Sequence, residues 1–206
     1  HMIPMDLTDE GSCISAVEKV LPDYIFHLAA QSYVSESFDY PVATMMANGV
    51  GTLNLLEAIR IVRQSDSLWV PNEVCGERPL HKIPKSERHQ IFQFDPIIHV
   101  CSSSEVYGLV GTEDIPIKET TRFNPSNPYA VSKVAADMWG LLYFTNYKMK
   151  VIRTRFFTHT GPRRSMMSAE CAFAKQIALI EAGKQEPVLK HGNLDSVRTW
   201  ADVRDA

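Results

Sequence analysis

The sequence lacks the features that mark several large classes of protein. Its four cysteines are scattered and none forms a C-x-x-C pair, which argues against a zinc or other metal site and against a disulfide framework. Basic and acidic residues number 21 and 24, and no basic block indicates nucleic acid. Neither a transmembrane-length apolar run nor a signal peptide is visible. We therefore expect a cytoplasmic globular protein with reduced thiols and without a metal, nucleic-acid or membrane partner.

The hydrophobic pattern alternates between helical and strand periods. The chain has 206 residues, enough for one domain or for a domain and part of another. Short apolar runs predict strands, and longer runs with helical spacing predict helices. Such alternation is typical of an α/β fold with a parallel sheet. The predicted helices cover 10–21, 44–61, 129–147 and 169–182, and the predicted strands cover 24–28, 97–101 and 151–157.

The stretch from Ile97 to Lys133 concentrates the candidate chemistry. A buried strand ending at Cys101 runs into a hydroxyl-rich turn, residues 102–108. Tyr129 and Lys133 stand four apart on the next predicted helix, so their Cβ atoms lie about 5–6 Å apart on one face. A neighbouring cation favours the phenolate, and lowering a tyrosine pKa from about 10 towards 7 needs roughly 4 kcal/mol. The combination predicts a proton-transfer site, although either motif alone is common in ordinary turns and helices.

Two other turns are candidates for ligand contact. Small residues at 29–32 follow the strand at 24–28, at the sheet edge where ligands bind in open α/β folds. A plain strand-to-loop turn would have the same composition. Arg163 and Arg164 follow Gly161-Pro162, which suits either an anion site or two solvated arginines.

Residues 61–96 are predicted to be an insertion. They contain four prolines (Pro71, Pro79, Pro84 and Pro96) and many charges, and their periodicity is poor apart from a possible short strand at 91–94. Long irregular segments in compact domains are uncommon and are often functional or disordered. We interpret the segment as mobile or as an oligomer contact. In the preceding helix, Gly49 and Gly51 each cost roughly 1 kcal/mol against alanine, which indicates close packing on a neighbour.

The motifs resemble those of a known family. Ser102-Ser103-Ser104-Glu105-Val106-Tyr107-Gly108, together with Pro128-Tyr129-Ala130-Val131-Ser132-Lys133, is similar to the extended short-chain dehydrogenase/reductases. Within them the likeness is to the group around GDP-mannose 4,6-dehydratase and GDP-4-keto-6-deoxy-mannose reductase. The resemblance implies a Rossmann-like, doubly wound parallel sheet that binds NAD(P), with NADP favoured.

The resemblance also implies a reaction. In a dehydratase of the GDP-mannose type, Tyr129 would take the O4 proton, Ser103 would hold O4 and Glu105 would remove the C5 proton. Lys133 would lower the Tyr129 pKa and hold the ribose. Ser104 stands where TDP-glucose dehydratases carry an aspartate, which favours the GDP-mannose branch. The alternatives are an NAD(P)H-dependent reductase, in which Tyr129 donates a proton, and an epimerase or decarboxylase of the same family.

Further contacts are implied position by position. Asp6 and Leu7 match residues near the adenine, and His159 and Arg164 match cofactor contacts in the dehydratase. Thr158 stands where relatives carry a substrate-binding asparagine, and Ala43 stands where the dehydratase has a tyrosine. The implied dinucleotide contacts are Leu28, Ala29, Ala30, Gln31, Ser32, Tyr129 and Lys133, and the implied substrate contacts are Ser104, Glu105, Thr158 and Arg198.

The resemblance sets expectations for organisation as well. Residues 1–164 would form part of a nucleotide-binding domain and 165–206 the start of a substrate-binding region. Helices 44–61 and 129–147 match the pair through which relatives form homodimers. The Gly-rich turn of the family is not found in this sequence, so we expect its βαβ unit to lie outside it. The alternative of another class is a non-catalytic, dimerising fragment.

Overall fold

The computed structural model describes residues 2–64, 94–195 and 197–206. The chain divides into two compact units, His1–Arg155 and Phe156–Ala206. Most of the predicted insertion at 61–96 lies outside the described residues, as does all but Phe94 of the possible strand at 91–94. The functional division after residue 164 stays a prediction, since the compact units separate after Arg155.

The first unit alternates helices and strands as the sequence pattern predicts. Two short 3₁₀ turns, Ser104–Tyr107 and Thr112–Asp114, follow the second strand. The longer elements are α1 (Glu10–Val20), β1 (Tyr24–His27), α2 (Val34–Asp39), α3 (Pro41–Met45), a π-helical turn (Met46–Val50), α4 (Gly51–Gln64), β2 (Ile97–Cys101), α5 (Pro128–Tyr147) and β3 (Lys150–Thr154).

The three strands form a parallel sheet in the order β1-β2-β3. Ile98 of β2 is in register with Ile25 of β1 and with Val151 of β3. Parallel neighbours require crossover connections, which the helices between the strands supply. The predicted parallel α/β fold is therefore confirmed, and the carboxyl ends of all three strands meet at one edge. The predicted strand at 151–157 ends sooner, at Thr154.

One hydrophobic core lies between a face of the sheet and helices α1, α4 and α5. Ile98 and Val100 of β2 are fully or almost fully buried in it, since alternate side chains of a strand share a face. Leu56 and Ile59 of α4 pack on them from the helix side. On the other face of the sheet Tyr24, Phe26 and Ile152 are exposed in the described part of the chain.

The second predicted helix is longer and less regular than expected. It begins at Pro41, passes through the π-helical turn and continues to Gln64. A Cβ on Gly49 would lie 3.3 Å from the Cβ of Ala135 on α5, so the glycine allows close packing of the two helices. The predicted close contact with a neighbouring helix is confirmed.

The residues on either side of the undescribed segment are well anchored. Phe94 is buried in the core. Asp95 accepts ion pairs from Arg63 at the end of α4 (3.2 Å) and from Lys150 at the start of β3 (3.0 Å). The end of α4 and the start of β2 are therefore held at the edge of the sheet opposite the carboxyl ends.

The second unit contains one helix and a two-stranded parallel sheet. They are α6 (Ala169–Glu181), β4 (His159–Thr160) and β5 (Ala201–Asp202). Gly183 follows the helix with a φ of 66°, the left-handed conformation predicted for a glycine at this position. No helix in the described ranges has both the length and the apolar character needed to cross a membrane.

His27 makes the stability of this fold depend on pH. Its ring is buried at the end of β1, with Nε2 2.9 Å from Thr52 Oγ1. Burial, aided by the charge of Lys133, lowers the pKa of His27 to about 4. An unfolded chain binds this proton near pH 6.5, so the free energy of unfolding should fall by about 3 kcal/mol between pH 7 and pH 4.

Urea unfolding across that pH range tests the expectation. His27→Gln should flatten the pH dependence by the same amount, whereas His191→Gln, at an exposed position, should leave it unchanged. An unaltered slope in His27→Gln would contradict the assignment.

Candidate active site

The turn after β2 is organised by its serines. The backbone N–H of Ser102 continues the strand ladder by donating to Thr154 O (2.8 Å). Ser103 then caps the 3₁₀ turn, with its Oγ accepting from the N–H of Glu105 at 3.2 Å. Its hydroxyl also lies close enough to Tyr129 to lower the pKa of that phenol. The turn thus carries Ser103 and Glu105 to the carboxyl edge of the sheet.

The start of α5 is fixed by a side-chain cap and a proline. Asn127 Oδ1 accepts from the N–H of Ala130 at 2.7 Å, and Pro128 occupies the first helical position, where its missing N–H costs nothing. The N–H of Tyr129, one of the donors left over at a helix start, reaches the buried Ser37 Oγ of α2 at 3.1 Å. The orientation of the first turn of α5 is thereby set.

Tyr129 and Lys133 face the serine turn, as the sequence predicts. The Lys133 ammonium lies 5.9 Å from the centroid of the Tyr129 ring and donates to Cys101 O at 2.9 Å. Lys133 is 6% exposed, so its charge is held inside the protein. The predicted grouping of Ser103, Glu105, Tyr129 and Lys133 is therefore present as one cluster.

The expected direction of the Tyr129 pKa is wrong for this structure. Burial raises the pKa of Tyr129, the nearby Glu105 and Cys101 raise it further, and only the hydrogen bond from Ser103 lowers it. Burial also lowers the pKa of Lys133. The sequence pattern predicted helical spacing but not that the ammonium would donate to the carbonyl of Cys101.

Glu105 lies between α5 and a tightly closed loop. Its Oε2 accepts from Asn127 Nδ2 at 3.2 Å. Gly108, which ends the 3₁₀ turn with a φ of 60°, passes so close to Asn124 that a Cβ would overlap its carbonyl oxygen. The N–H of Asn124 donates to Val106 O at 3.0 Å, and its side chain donates to Leu109 O at 3.3 Å. Both ends of the loop are joined beside the Glu105 turn.

Asn48 connects the predicted cofactor edge to α5. It is almost fully buried in the π-helical turn, and its Oδ1 accepts from Gln31 N at 2.8 Å. Its Nδ2 donates to Gln31 O and to Ser132 Oγ, both at 2.9 Å. Ser132 in turn donates to Tyr129 O at 2.7 Å. One side chain therefore sets the position of the 29–32 segment relative to Tyr129.

The predicted cofactor contacts of the first unit differ in their partners and in their exposure. Asn54 Nδ2 donates to Leu7 O at 2.8 Å, and the Asp6 carboxylate accepts from Thr8. Leu28, Ala29 and Ser32 are exposed at the end of β1, while Ala30 and Gln31 are partly buried. Leu7 is therefore held against α4 and Gln31 against the π-helical turn, while Asp6 and Leu7 are outside the proton-transfer cluster.

The remaining predicted residues belong to the second unit. Arg164 donates to the carbonyl of His159 at 2.8 Å and pairs with Glu170 at 2.6 Å. Thr158 O accepts from Ala201 N at 3.0 Å, next to β4. Arg198 is exposed. His159 and Arg164 are thus held together, and the roles of all four residues stay predictions.

A buried ion cluster lies behind the site and was not predicted from the sequence. The Asp137 carboxylate, fully buried on α5, pairs with Arg153 and, at 2.8 Å, with Arg155. Arg155 also donates to the Tyr107 hydroxyl at 3.0 Å and to Glu119 O at 2.8 Å. Burial raises the pKa of Asp137, but hydrogen bonds from Arg155 and Ser102 and the arginine charges hold it below its ordinary value.

Sequence reasoning missed other supporting residues to different degrees. Asn127 had a usable signal, because asparagine before a proline at a helix start is a preferred cap. Ser37 and Asp137 had none, since their partners are remote in sequence. In the described ranges no group of three or more His, Cys, Asp and Glu side chains could hold a metal ion.

A Ser, Tyr and Lys cluster at the carboxyl edge of a parallel α/β sheet defines the class, the short-chain dehydrogenase/reductases. A family model described as GDP-mannose 4,6 dehydratase matches residues 1–206. The GDP-mannose 4,6-dehydratase of Yersinia enterocolitica is 35% identical over 200 residues, which cover 97% of this chain and 45% of the relative. The chain belongs to the GDP-mannose 4,6-dehydratase family.

Two further comparisons agree with the fold and the family group. The GDP-6-deoxy-D-mannose reductase of Pseudomonas aeruginosa is 33% identical over 186 residues, covering 90% of this chain and 51% of the relative. The structure of RMD from Pseudomonas aeruginosa complexed with NADPH matches with a TM-score of 0.76 and 32% identity, covering 98% of this chain and 57% of that one. The chain therefore spans about half the length of the curated relatives it matches.

The buried ion cluster makes a testable contribution to stability. Asp137→Asn should destabilise the protein by about 3 kcal/mol at pH 7, because it leaves two partly buried guanidinium groups without their counter-charge. Since the native pKa of Asp137 is depressed, its contribution is present above about pH 4 and is lost as the pH falls through that native pKa.

Denaturant unfolding of both proteins from pH 7 downwards measures this difference. The difference in the free energy of unfolding should shrink in acid. The control variant Asp39→Asn, at an exposed position, should cost less than about 0.5 kcal/mol. A cost that stays constant with pH would indicate a packing defect and not a lost charge.

Proposed function

We propose that the intact protein is a nucleotide-sugar 4,6-dehydratase that converts GDP-mannose to its 4-keto-6-deoxy form. The observation that carries the proposal is the grouping of Tyr129, Ser103 and Glu105 at the carboxyl edge of β2, with Lys133 beneath. The reaction needs one group for the O4 proton and a separate base for the C5 proton. The phenol and the carboxylate meet that requirement. Family membership and the dehydratase relatives support it.

The protein groups divide the proton transfers between them. Tyr129 takes the proton from O4 while the Ser103 hydroxyl holds that oxygen. Once C4 is a ketone, the C5–H is acidic and Glu105 removes its proton. The electron pair forms the C5–C6 double bond, the C6–O bond breaks, and the proton leaves with the hydroxyl as water. We propose three substrate contacts. They are Ser104, which lies between Ser103 and Glu105 in the sequence, Thr158 and Arg198.

The residues fit the nicotinamide cofactor that the family implies. Lys133 carries three N–H donors, and the contact to Cys101 uses one of them. Small side chains at Ala29 and Ala30 suit close approach to a dinucleotide. When bound, NAD(P) supplies the acceptor and donor of hydride for C4 and C6. We propose NADP, which the NADPH complex of a solved relative supports, with His159 and Arg164 as further contacts.

A second candidate is an NAD(P)H-dependent reductase of 4-keto-6-deoxy sugars. In this reaction Tyr129 donates a proton to the keto oxygen, and the GDP-6-deoxy-D-mannose reductase relative supports it. A dehydratase needs the proton to leave Tyr129 in the active complex. The Ser103 hydroxyl is the group that favours the phenolate, and the Lys133 ammonium lies 5.9 Å from the centroid of the ring.

Assays of the intact protein separate the two reactions. With GDP-mannose and catalytic NADP, a dehydratase should form the keto sugar without net change in reduced cofactor. Loss of NADPH with the keto sugar as the only accepted substrate would instead establish the reductase. Tyr129→Phe should lower turnover by about 10²–10⁴-fold, while Tyr147→Phe on the same helix should leave it unchanged.

We propose a homodimer formed through helices 44–61 and 129–147, in a protein that works in the cytoplasm. Val131 and Met138 of α5 stand seven apart, and each is 45% exposed. Val42 and Met46, beside them on α3 and the π-helical turn, are exposed as well. An apolar stripe across two neighbouring helices suits a helix-to-helix interface between copies.

Met138→Asp tests the dimer. A buried, unpaired carboxylate should shift the mass of the intact protein from dimer to monomer in analytical ultracentrifugation. Val20→Asp makes a similar change at an exposed position of α1 and should leave the mass unaltered. Unchanged dimerisation in Met138→Asp would exclude this face.

A further inference from the structure

Asn127 contacts two elements of the site with opposite ends of one amide. Its Oδ1 accepts from the N–H of Ala130 in the first turn of α5, at 2.7 Å. Its Nδ2 donates to Oε2 of Glu105 at 3.2 Å. Asn127 has an extended backbone, as a capping residue requires.

The cap determines which end of the amide faces the carboxylate. The N–H of Ala130 needs an acceptor, which only the amide oxygen can supply. The NH₂ group must then point the other way, and Glu105 lies there. Asparagine is therefore suited to both contacts, whereas the other good capping residues lack the donor at that distance.

We infer that Asn127 is a positioning residue that holds the Glu105 carboxylate in place for proton removal from C5. The inference rests on the proposed dehydratase function. The hydrogen bond from the amide limits the orientations that the Glu105 carboxylate can adopt. It also ties the orientation of Glu105 to the helix that carries Tyr129, so that the two proton-transfer groups keep their separation.

Two variants separate this role from helix capping. Asn127→Asp keeps the cap but replaces the donor by a second carboxylate facing Glu105, and Asn127→Ser keeps the cap with no donor of sufficient length. In the intact enzyme with GDP-mannose, both should slow elimination by about 10–100-fold, the worth of a hydrogen bond to a charged group. Oxidation at C4 should be little affected.

Single-turnover kinetics measures the two steps separately. Reduced cofactor should accumulate transiently in the variants more than in the wild type, and exchange of the C5 hydrogen with solvent should slow. Equal slowing of oxidation and elimination would assign Asn127 a structural role only and overturn the inference. Tm values of both variants near that of the wild type would verify that the cap is retained.

A structural measurement keeps the inference distinct from the proposed function. If the wild type does not dehydrate GDP-mannose, the proposed function fails, and crystal structures of the wild type and Asn127→Ser still decide the positioning. A displaced Glu105 carboxylate in the variant would support it. An unmoved carboxylate would overturn it.

Discussion

The Lys133 ammonium donates to the carbonyl of Cys101, and this contact determines where the candidate chemistry lies. An ammonium is expensive to bury unless it is hydrogen-bonded. Here the acceptor is the last carbonyl of β2, so the charge joins the middle strand of the sheet to the first turns of α5. Because Lys133 is fixed at that depth, the Tyr129 ring one turn earlier lies over the serine turn. The position of α5 relative to the sheet edge is therefore fixed.

A second layer of buried polar groups keeps that position. Asn48 sits in a π-helical turn, an irregularity that is frequent at functional sites, and links the 29–32 segment to Ser132. On the other side, Asp137 holds Arg155 against Tyr107. Buried polar networks are stabilising only when their members are satisfied. The candidate site is thus surrounded by buried polar groups that hold the 29–32 segment, α5 and Tyr107 in place.

The sequence was informative where local rules apply. Strand 97–101, the start of α5 at Pro128 and the Tyr129–Lys133 face follow from apolar runs, proline geometry and helical spacing, and the structure agrees with them. The parts that could not be predicted depend on residues distant in sequence. The Tyr129 pKa depends on burial and on Glu105, 24 positions away. The close approach of Gly49 to Ala135 joins residues 86 positions apart, and α2 is short and lacks an apolar period.

The contact between Gly108 and Asn124 closes the chain between them into a loop. Residues 109–123 leave and return at almost the same point, joined by the Asn124 hydrogen bonds and by a contact that only a glycine permits. Adding residues to a loop with fixed ends costs little, since the entropy of closure grows slowly with length. The loop can therefore change in length while Ser103 and Glu105 keep their positions at the carboxyl edge of the sheet.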